Sequence, residues 1–323
     1  MQGGRRPGGS LYPADPSARR VPWDGVLVRF GEIGIKSAPV RRRMLDRLRS
    51  NLEEALLRAG VEGAVERQGS RLWLAGPDAE ALAGAASHVF GVVSVSPALR
   101  VPAAMEAMGD AAAGVALGRA WSSFAVRPSR EGEHAFSSPE IGREVGAAVF
   151  LAAEAAGRSP RVDLGAPDLE VFVEVRGAEA YVYAEKVSGP GGLPVGTQGR
   201  VVAVVGGEDG VLAAWFMMRR GCGIVPVRPA DQAAPAAYRA LLAWGAPERV
   251  EALPEGPAIE AAAEVLRRRR CDAVVTGEGL GDRWPGPPAG VAVLRPLAGL
   301  DPEERERWRR WAGLGGQGAG GAD

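Results

Sequence analysis

The sequence predicts an α+β amino-terminal region followed by an α/β region built on a parallel sheet. Three observations support this fold class. Short apolar strands alternate with amphipathic helical segments over residues 26–96, and two strands of alternating apolar and polar residues meet at Gly177. From residue 200 onward, apolar strands are separated by helices, which is typical of a parallel sheet covered on both faces. A chain of 323 residues is long enough for two or three such domains.

The amino-terminal elements follow from periodicity and helix breakers. The predicted elements are strands at 26–30, 71–74 and 92–96 and helices at 39–59 and 78–88. In the first helix, apolar residues recur every three or four positions, Pro39 lies near the start and Gly60 follows the end. Strands and helices alternating on this scale predict a small ferredoxin-like sandwich. Residues 1–22 mix Gly, Pro and Arg without periodicity and predict a disordered tail.

The middle of the chain continues this alternation. The predicted elements are helices at 103–119 and 139–156 and strands at 122–127, 169–176 and 178–186. Residues 189–199 contain five glycines and two prolines, so neither a helix nor a strand interior fits them. This segment is either an interdomain linker or a lip over the site that follows it.

The carboxyl-terminal part has the α/β pattern. The predicted elements are strands at 200–205, 223–227, 272–277 and 291–296 and helices at 210–220, 235–245, 258–270 and 302–312. Residues 314–323 are Gly-rich and predict a flexible tail. No apolar run approaches the ~18 residues of a membrane helix. Because the amino terminus also lacks a signal-peptide pattern, we expect a cytoplasmic protein that does not enter a membrane.

The side chains available for metal or redox chemistry are few. The sequence contains only Cys222 and Cys271, too few for a disulfide framework or a structural zinc site. His88 and His134 are its only histidines, match no catalytic pattern and are interpreted as structural, so no metal site is predicted. Each cysteine precedes an apolar strand and is predicted to pack as a small apolar residue in the sheet core.

Charge is balanced overall but not locally. The net charge is zero, whereas residues 1–50 contain ten Arg and one Lys against four acids. This excess favours phosphate contacts, and a solvated basic surface is the alternative. Only Lys36 and Lys186 of the 39 basic residues are lysine, so a Lys-to-Arg difference from any family pattern carries little weight.

The turn "GGEDG" (206–210) is the main candidate binding motif, because it follows a strand of the predicted parallel sheet and opens a helix. Gly206 and Gly207 would let backbone N–H groups approach a phosphate, whose charge the helix N-terminus favours. Asp209 either positions a metal or phosphate or stabilises the helix start.

These motifs carry a family resemblance. "VGGEDG" followed by "VLAAWFMMRRG", with "TGEGLGD" at 276–282 and "LRPLAGLDPEE" at 294–304, resembles the PP-loop ATP pyrophosphatase domain of the tRNA 4-thiouridine sulfurtransferases, which are also tied to thiamine biosynthesis. "FSSPEIGREVG" and "AYVYAEKVSGPGGLPVGTQG" resemble the THUMP domain of that family, and "VRFGEIGIKSAPVRRRM" resembles the start of its ferredoxin-like domain. The match is almost continuous from about 26 to 304.

The resemblance implies domains, partners and site residues. The implied domains are ferredoxin-like at 23–101, THUMP at 102–198 and a Rossmann-like PP-loop domain at 199–313. The implied nucleotide contacts are Gly206, Gly207, Asp209, Thr276, Gly277 and Glu278, although Glu278 equally suits a cap on a strand-end turn. The implied RNA contacts are Lys36, Arg41, Arg42, Arg43, Arg127 and Arg130; for the three arginines at 41–43 a solvated helix face is the alternative. ATP with Mg and tRNA are implied in the same way, and so is a cysteine-desulfurase sulfur donor if the protein is active. A homodimer is considered as well, although the sequence does not determine the oligomeric state.

Departures from the family pattern put its chemistry in doubt. Val205 and Gly210 replace both serines of the family's S-G-G-x-D-S loop. Two lost hydrogen bonds to phosphate, worth about 1.5–3 kcal/mol each, would weaken nucleotide binding about a hundredfold or more. The family's cysteine between the loop and T-G-E is also missing, because residues 223–270 contain none, and "RWPGPPAG" (283–290) replaces a family segment near the nucleotide.

Two interpretations follow. The first is a tRNA-binding protein with weak ATP binding and impaired or lost sulfur transfer, whose catalytic residues are unknown. The alternative is an active ATP-dependent tRNA sulfurtransferase with a variant loop.

Overall fold

The computed structural model describes residues 21–280, 282 and 286–314. The predicted tails at 1–22 and 314–323 therefore lie almost entirely outside the described residues. The chain packs into two compact units. The first contains the described residues up to Arg29 with Leu56–Ser87 and Ser94–Ser188, and the second contains Phe30–Ala55, His88–Val93 and the described residues from Gly189 onward. The domain borders at 101 and 198 stay predictions.

The structure contains strands and helices close to those predicted. The strands are β1 Gly25–Phe30, β2 Ala64–Gln68, β3 Arg71–Ala75, β4 Val92–Pro102, β5 Ser123–Glu131, β6 Arg161–Val162, β7 Leu169–Arg176, β8 Glu179–Tyr183, β9 Val187–Ser188, β10 Arg200–Val204, β11 Gly223–Arg228, β12 Glu251–Ala252, β13 Ala273–Val275 and β14 Val293–Leu294. The helices are α1 Ala38–Ala59, α2 Ala79–Ala86, α3 Met105–Leu117, α4 Ser138–Ala155, α5 Glu208–Arg219, α6 Ala237–Leu242, α7 Ala258–Arg269 and α8 Pro302–Ala312.

The first nine strands form one mixed sheet in the order β2-β3-β1-β4-β8-β7-β5-β6, with β9 paired to β4. Alternation along β7 separates its two faces. Val171, Val173 and Val175 are buried in a core with apolar residues of α3 and α4. Glu174 lies between them in the sequence and therefore points to the opposite face.

Glu174 is the centre of a buried arginine cluster on that opposite face. Its carboxylate accepts hydrogen bonds from Arg29 at 3.2 Å, Arg71 at 2.7 Å and Arg176 at 2.7 Å. Burial alone would raise the pKa of Glu174, but the three guanidiniums outweigh it and hold the pKa at about 2. The cluster thus keeps a charge inside the first unit by pairing it.

The second sheet has the order β12-β11-β10-β13-β14, and each of its four ladders is parallel. On one face, residues of α5, α6 and α8 pack in a core around Trp215. On the other face, α7 packs over Val202 and Val227. The predicted parallel sheet with both faces covered is confirmed.

The sequence did not predict β2, β6, β9 or β12. The strands β6, β9 and β12 have two residues each, too few for alternation to be recognised. In β2, three of the five residues are polar because the strand is only partly buried. These strands form through pairing with their neighbours rather than through their own pattern.

Candidate nucleotide site and nucleic-acid interface

The glycine turn predicted to bind phosphate joins β10 to α5. Gly207 is the N-cap residue of α5, has an extended backbone and provides no side-chain cap. The first N–H groups of the helix are therefore left without a capping side chain, which is the arrangement that receives an anion. Glu208 and Asp209 lie in the first turn and suit the positive end of the helix dipole.

The two positions that hold serine in the resembled loop are occupied differently here. The side chain of Val205 is fully buried in the core around Trp215. A Cβ atom added to Gly210 would lie 2.2 Å from the carbonyl oxygen of Val204, so a side chain does not fit without movement of the backbone. Val205 and Gly210 thus both fit the close packing of this turn.

The Thr276-Gly277-Glu278 turn lies against the glycine turn, because β13 is the direct neighbour of β10. A Cβ added to Gly277 would lie 2.6 Å from the carbonyl carbon of Asp209 and 2.6 Å from the amide nitrogen of Gly210. Buried side-chain oxygens of Thr276 (Oγ1) and Glu278 (Oε2) have no hydrogen-bond partner within the described residues. Unpaired buried oxygens of this kind are costly unless a ligand or water satisfies them.

Asp209 is held by two arginines that sequence reasoning missed. Arg305 donates to one carboxylate oxygen at 2.8 Å, and Arg309 donates to the other. Arg305 also donates to the carbonyl oxygens of Leu300 and Leu297, which fixes its guanidinium. The sequence shows that Arg305 and Arg309 share one helix face, but it does not show that this face meets the loop.

The residues present fit the phosphates of a nucleotide through the backbone, and Asp209 is not free to hold a metal. Free helix N–H groups and the unpaired Thr276 hydroxyl suit an anion, whereas both Asp209 oxygens already accept from guanidiniums. Beside the turn, where Gly206 closely approaches Pro229, the strands β11 and β12 end at a cavity of about 510 Å³. Pro229, Asp231, Leu253 and Glu255 contribute to its lining.

Both cysteines lie at the other edge of this sheet. Cys222 directly precedes β11 and Cys271 lies just before β13, so both are at the amino ends of the strands, whereas the glycine turn is at the carboxyl ends. A strand of five residues separates the two edges by about 16 Å. Both thiols are buried, and burial raises the pKa of Cys222 and of Cys271. The predicted packing in the sheet core is confirmed.

The segment 189–199 is not a lip over the glycine turn, so that alternative is wrong. The N–H groups of Gly196, Thr197 and Gln198 donate to the carbonyl oxygen of Gly221, in the turn from α5 to β11. This turn is at the amino ends of the strands. Because the segment leads directly into β10, it reaches the sheet at the edge opposite to the glycine turn.

The basic residues predicted to contact RNA lie in both compact units. Arg41, Arg42 and Arg43 lie near the start of α1, are exposed and form no ion pair within the described residues, and Lys36 precedes them. No acidic residue lies in the first turn of α1, so their charge adds to the positive end of the helix dipole. That combination suits phosphate.

In the first unit, Arg127 donates to Glu170 at 2.7 Å and to the carbonyl oxygen of Leu164, so its charge is already paired. Arg130 is exposed and donates to the carbonyl oxygen of Gly132. The structure therefore offers Arg130 more readily than Arg127 to an external anion.

The fold and site define a class of protein: a mixed-sheet region linked to a parallel α/β domain with a phosphate-loop turn. Comparisons with known proteins agree with that class. Residues 25–96 match the family model of the ThiI ferredoxin-like domain, and residues 104–185 match that of the THUMP domain. No helix in the described part of the chain is long and apolar enough to cross a membrane.

Individual relatives identify the family within this class of protein. A probable tRNA sulfurtransferase of Aeropyrum pernix is 35% identical, over 90% of this chain and 83% of the relative. One of Methanosarcina mazei is 38% identical over 76% of this chain, and one of Halobacterium salinarum is 42% identical over 70%. This chain belongs to the tRNA sulfurtransferase family. It spans only 64% and 55% of the length of the last two relatives.

Solved structures confirm the fold. The crystal structure of PH1313 from Pyrococcus horikoshii has a TM-score of 0.74 and 27% identity, over 89% of this chain and 99% of that one. A 4-thiouridine synthetase in complex with RNA and ATP has a TM-score of 0.73 over 90% of this chain and 84% of that one. At 23% identity the second shows the fold alone. The predicted α+β ferredoxin-like and THUMP regions and the predicted α/β region with a parallel sheet are therefore confirmed.

Proposed function

We propose that this chain binds tRNA, binds ATP weakly, and has impaired or lost transfer of sulfur to tRNA. The observation that carries this proposal is the state of the phosphate loop. Its carboxylate, Asp209, is held by Arg305 and Arg309, and its two serine positions hold a core valine and a glycine without space for a side chain. Membership in the tRNA sulfurtransferase family supports tRNA as the partner, and the altered phosphate loop supports impaired sulfur transfer.

In this proposal the chain holds the phosphates through the N–H groups at the start of α5 and through Thr276. Gly277 allows the second turn to approach closely. Bound ATP would supply activation of a uridine oxygen in an active enzyme. Because both oxygens of Asp209 accept from guanidiniums, this carboxylate is not free to orient a magnesium ion, and binding rests on backbone dipoles.

The positions of the thiols also support impaired transfer. A sulfur-carrying cysteine must be accessible and deprotonated. Cys222 donates to the carbonyl oxygen of Gln198 at 3.3 Å, is buried and has a raised pKa. Cys271 lies at the same edge, about 16 Å from the glycine turn. Neither is placed to attack a uridine activated at that turn.

Calorimetry tests the proposed weak binding of ATP. Calorimetry with ATP and magnesium is expected to show no binding tighter than about 0.1 mM, since two hydroxyl contacts are missing. Replacing Arg305 and Arg309 with Gln frees Asp209 and is expected to strengthen magnesium-dependent binding, whereas the exposed pair Arg307 and Arg310 on the same helix, replaced in the same way, serves as control. A wild-type dissociation constant in the low micromolar range contradicts weak binding.

The physiological test is nucleoside mass spectrometry of tRNA from cells that lack the gene. We expect 4-thiouridine to persist. Its disappearance, together with the same loss in cells carrying a single cysteine variant of this chain, contradicts impaired transfer.

For tRNA binding, the segment carrying Lys36, Arg41, Arg42 and Arg43 is the proposed contact. Replacing all four with Ala is expected to weaken binding and to reduce its salt dependence by ~0.7–0.9 in slope for each lost phosphate contact. Unchanged affinity would remove these residues from the interface.

An active enzyme is the second candidate, favoured by the unpaired oxygens of Thr276 and Glu278 beside the turn. These are what a bound nucleotide would satisfy. In that case a cysteine desulfurase supplies the sulfur, and thiamine synthesis also depends on this chain. Cytoplasmic location and a homodimer stay predictions, to be tested by cell fractionation and light scattering.

A further inference from the structure

The amino ends of β11, β10 and β13 form an edge that is rich in arginine, here called the amino edge. Six arginines lie at or next to these strand starts: Arg200, Arg220, Arg267, Arg268, Arg269 and Arg270. All six are exposed. The three strands are adjacent, so at a strand spacing of ~4.8 Å their starts span about 10 Å.

Among the described residues, acidic side chains neutralise only part of this charge. Glu251 pairs with Arg268 and Arg269. Asp272 accepts from the backbone N–H of Arg200 at 2.9 Å and packs against Gly199, so it is used by the backbone.

Four arginines have no acidic partner among the residues that the structure describes. Arg200, Arg220, Arg267 and Arg270 form no ion pair in the described part of the chain. The fields of Arg200 and Arg269 both act on the thiol of Cys271, and that of Arg220 acts on Cys222, which places these guanidiniums around the two strand starts.

A helix-dipole role explains only some of these residues. Basic side chains in the last turn of a helix are stabilising, which accounts for Arg267, Arg268 and Arg269 at the end of α7. Arg270 and Arg220 are the C-cap residues of α7 and α5, so the helix dipole favours their charge as well. Arg200 begins β10 and ends no helix, so its charge on this edge has no such local reason.

The amino edge is continuous with the basic start of α1 through the segment 189–199. Arg47 and Asn51 of α1 donate to the carbonyl oxygen of Val195 at 2.8 and 3.2 Å. Gly196, one residue further on, donates to Gly221, which follows Arg220. A cleft of about 460 Å³ between α1 and the segment is lined by Arg43, Arg47 and Thr197, with Asp46 also in its wall.

The geometry points to a second RNA contact surface: the amino edge binds the phosphate backbone of the tRNA and extends the surface formed by the start of α1. The inference rests on the tRNA binding proposed above. Exposed, weakly hydrated guanidiniums spaced along an edge suit a chain of phosphates better than a single small anion. The glycine turn, at the opposite edge, takes no part in it.

The test compares two variants with equal loss of charge. The edge variant replaces four arginines with Gln: Arg200, Arg220, Arg267 and Arg270. The control variant replaces four exposed arginines elsewhere with Gln: Arg58, Arg67, Arg239 and Arg307. Binding of an unmodified tRNA transcript is measured by filter binding across a salt series, and thermal unfolding checks the fold of both proteins.

The expected result is a slope of log affinity against log salt that is reduced by about 3 in the edge variant, with affinity at least tenfold weaker at low salt. The control variant is expected to keep the wild-type slope. If the edge variant unfolds early, the pair Arg220→Gln and Arg267→Gln replaces it, with an expected slope change of about 1.5.

Two outcomes overturn the inference. In one, the edge variant equals the control while the Ala variant of the α1 residues weakens binding, so tRNA binding stands without the amino edge. In the other outcome, the edge variant keeps the wild-type affinity for tRNA but binds less well than the wild-type protein to vesicles containing 30% phosphatidylserine. Failure of the wild-type protein to bind tRNA instead rejects the proposed function itself.

Discussion

Gly210 offers a sharp test of how this phosphate loop is built. It is the third residue of α5, and the resembled family has serine at its position. Serine at this position and at Val205 would supply the two missing hydroxyl groups to a phosphate. A Cβ at Gly210 would lie 2.2 Å from the carbonyl oxygen of Val204, so we expect that serine at this position does not strengthen ATP binding.

The cost follows from this distance. An ordinary contact begins at 3.4 Å, so the added atom is about 1.2 Å too close, and its neighbour is backbone rather than a movable side chain. Overpacking of this kind costs about 1–3 kcal/mol. Serine recovers roughly 0.5 kcal/mol relative to glycine from helix propensity. The net loss of unfolding free energy is therefore about 0.5–2.5 kcal/mol.

The assay is thermal unfolding followed by circular dichroism, with ATP titration by calorimetry on the same samples. Gly210→Ser is expected to lower the Tm of the affected transition by roughly 2–8 °C and to leave ATP binding no stronger. Gly114→Ser in α3 is the matched control, because a Cβ there meets no atom within 4 Å. It is expected to unfold at or slightly above the wild-type temperature.

A Gly210→Ser variant that unfolds at the same temperature as the control and binds ATP more tightly than wild type would contradict this steric conflict. That result would mean that the backbone of the turn moves easily to make room for a serine side chain. The weak ATP binding would then follow from the identity of the two side chains alone.

Three further predictions concern other buried groups. Val205→Thr keeps the side-chain volume but places a hydroxyl in the core, so it is expected to lower the unfolding free energy by about 1–3 kcal/mol. An unchanged denaturation midpoint would mean that the hydroxyl forms a hydrogen bond at the turn. The pKa of Glu174 is about 2 in the folded protein and 4.5 ordinarily, so its stabilising effect is present above pH 4.5 and is lost as pH falls toward 2; the Glu174→Gln variant is expected to be less stable at pH 7 and to lack this acid-dependent step in urea titrations. Cys222 and Cys271 are expected to react slowly with a thiol reagent in the folded protein and rapidly in denaturant; fast labelling of the native protein contradicts their burial.

The sequence alone carried much of the fold because periodicity and breakers are local properties. The helix α1 was predicted as 39–59 and found at Ala38–Ala59, and α8 was predicted as 302–312 and found at Pro302–Ala312. Parallel pairing in the second sheet also followed from apolar strands alternating with helices. The short strands β6 and β12 were not predicted, because their pairing depends on neighbouring strands far along the chain.

At the candidate site, the sequence by itself determined the residue types: two glycines, an aspartate opening a helix, a T-G-E turn, and valine and glycine where the family has serine. Only the tertiary structure decided what they do. Arg305 and Arg309 reach Asp209 from about a hundred residues further along the chain, and the space at Gly210 depends on the path of Val204. The same holds for the amino edge, where strand order brings arginines from three separate segments together. Local pattern specifies which groups a segment presents, whereas long-range packing specifies which groups they meet.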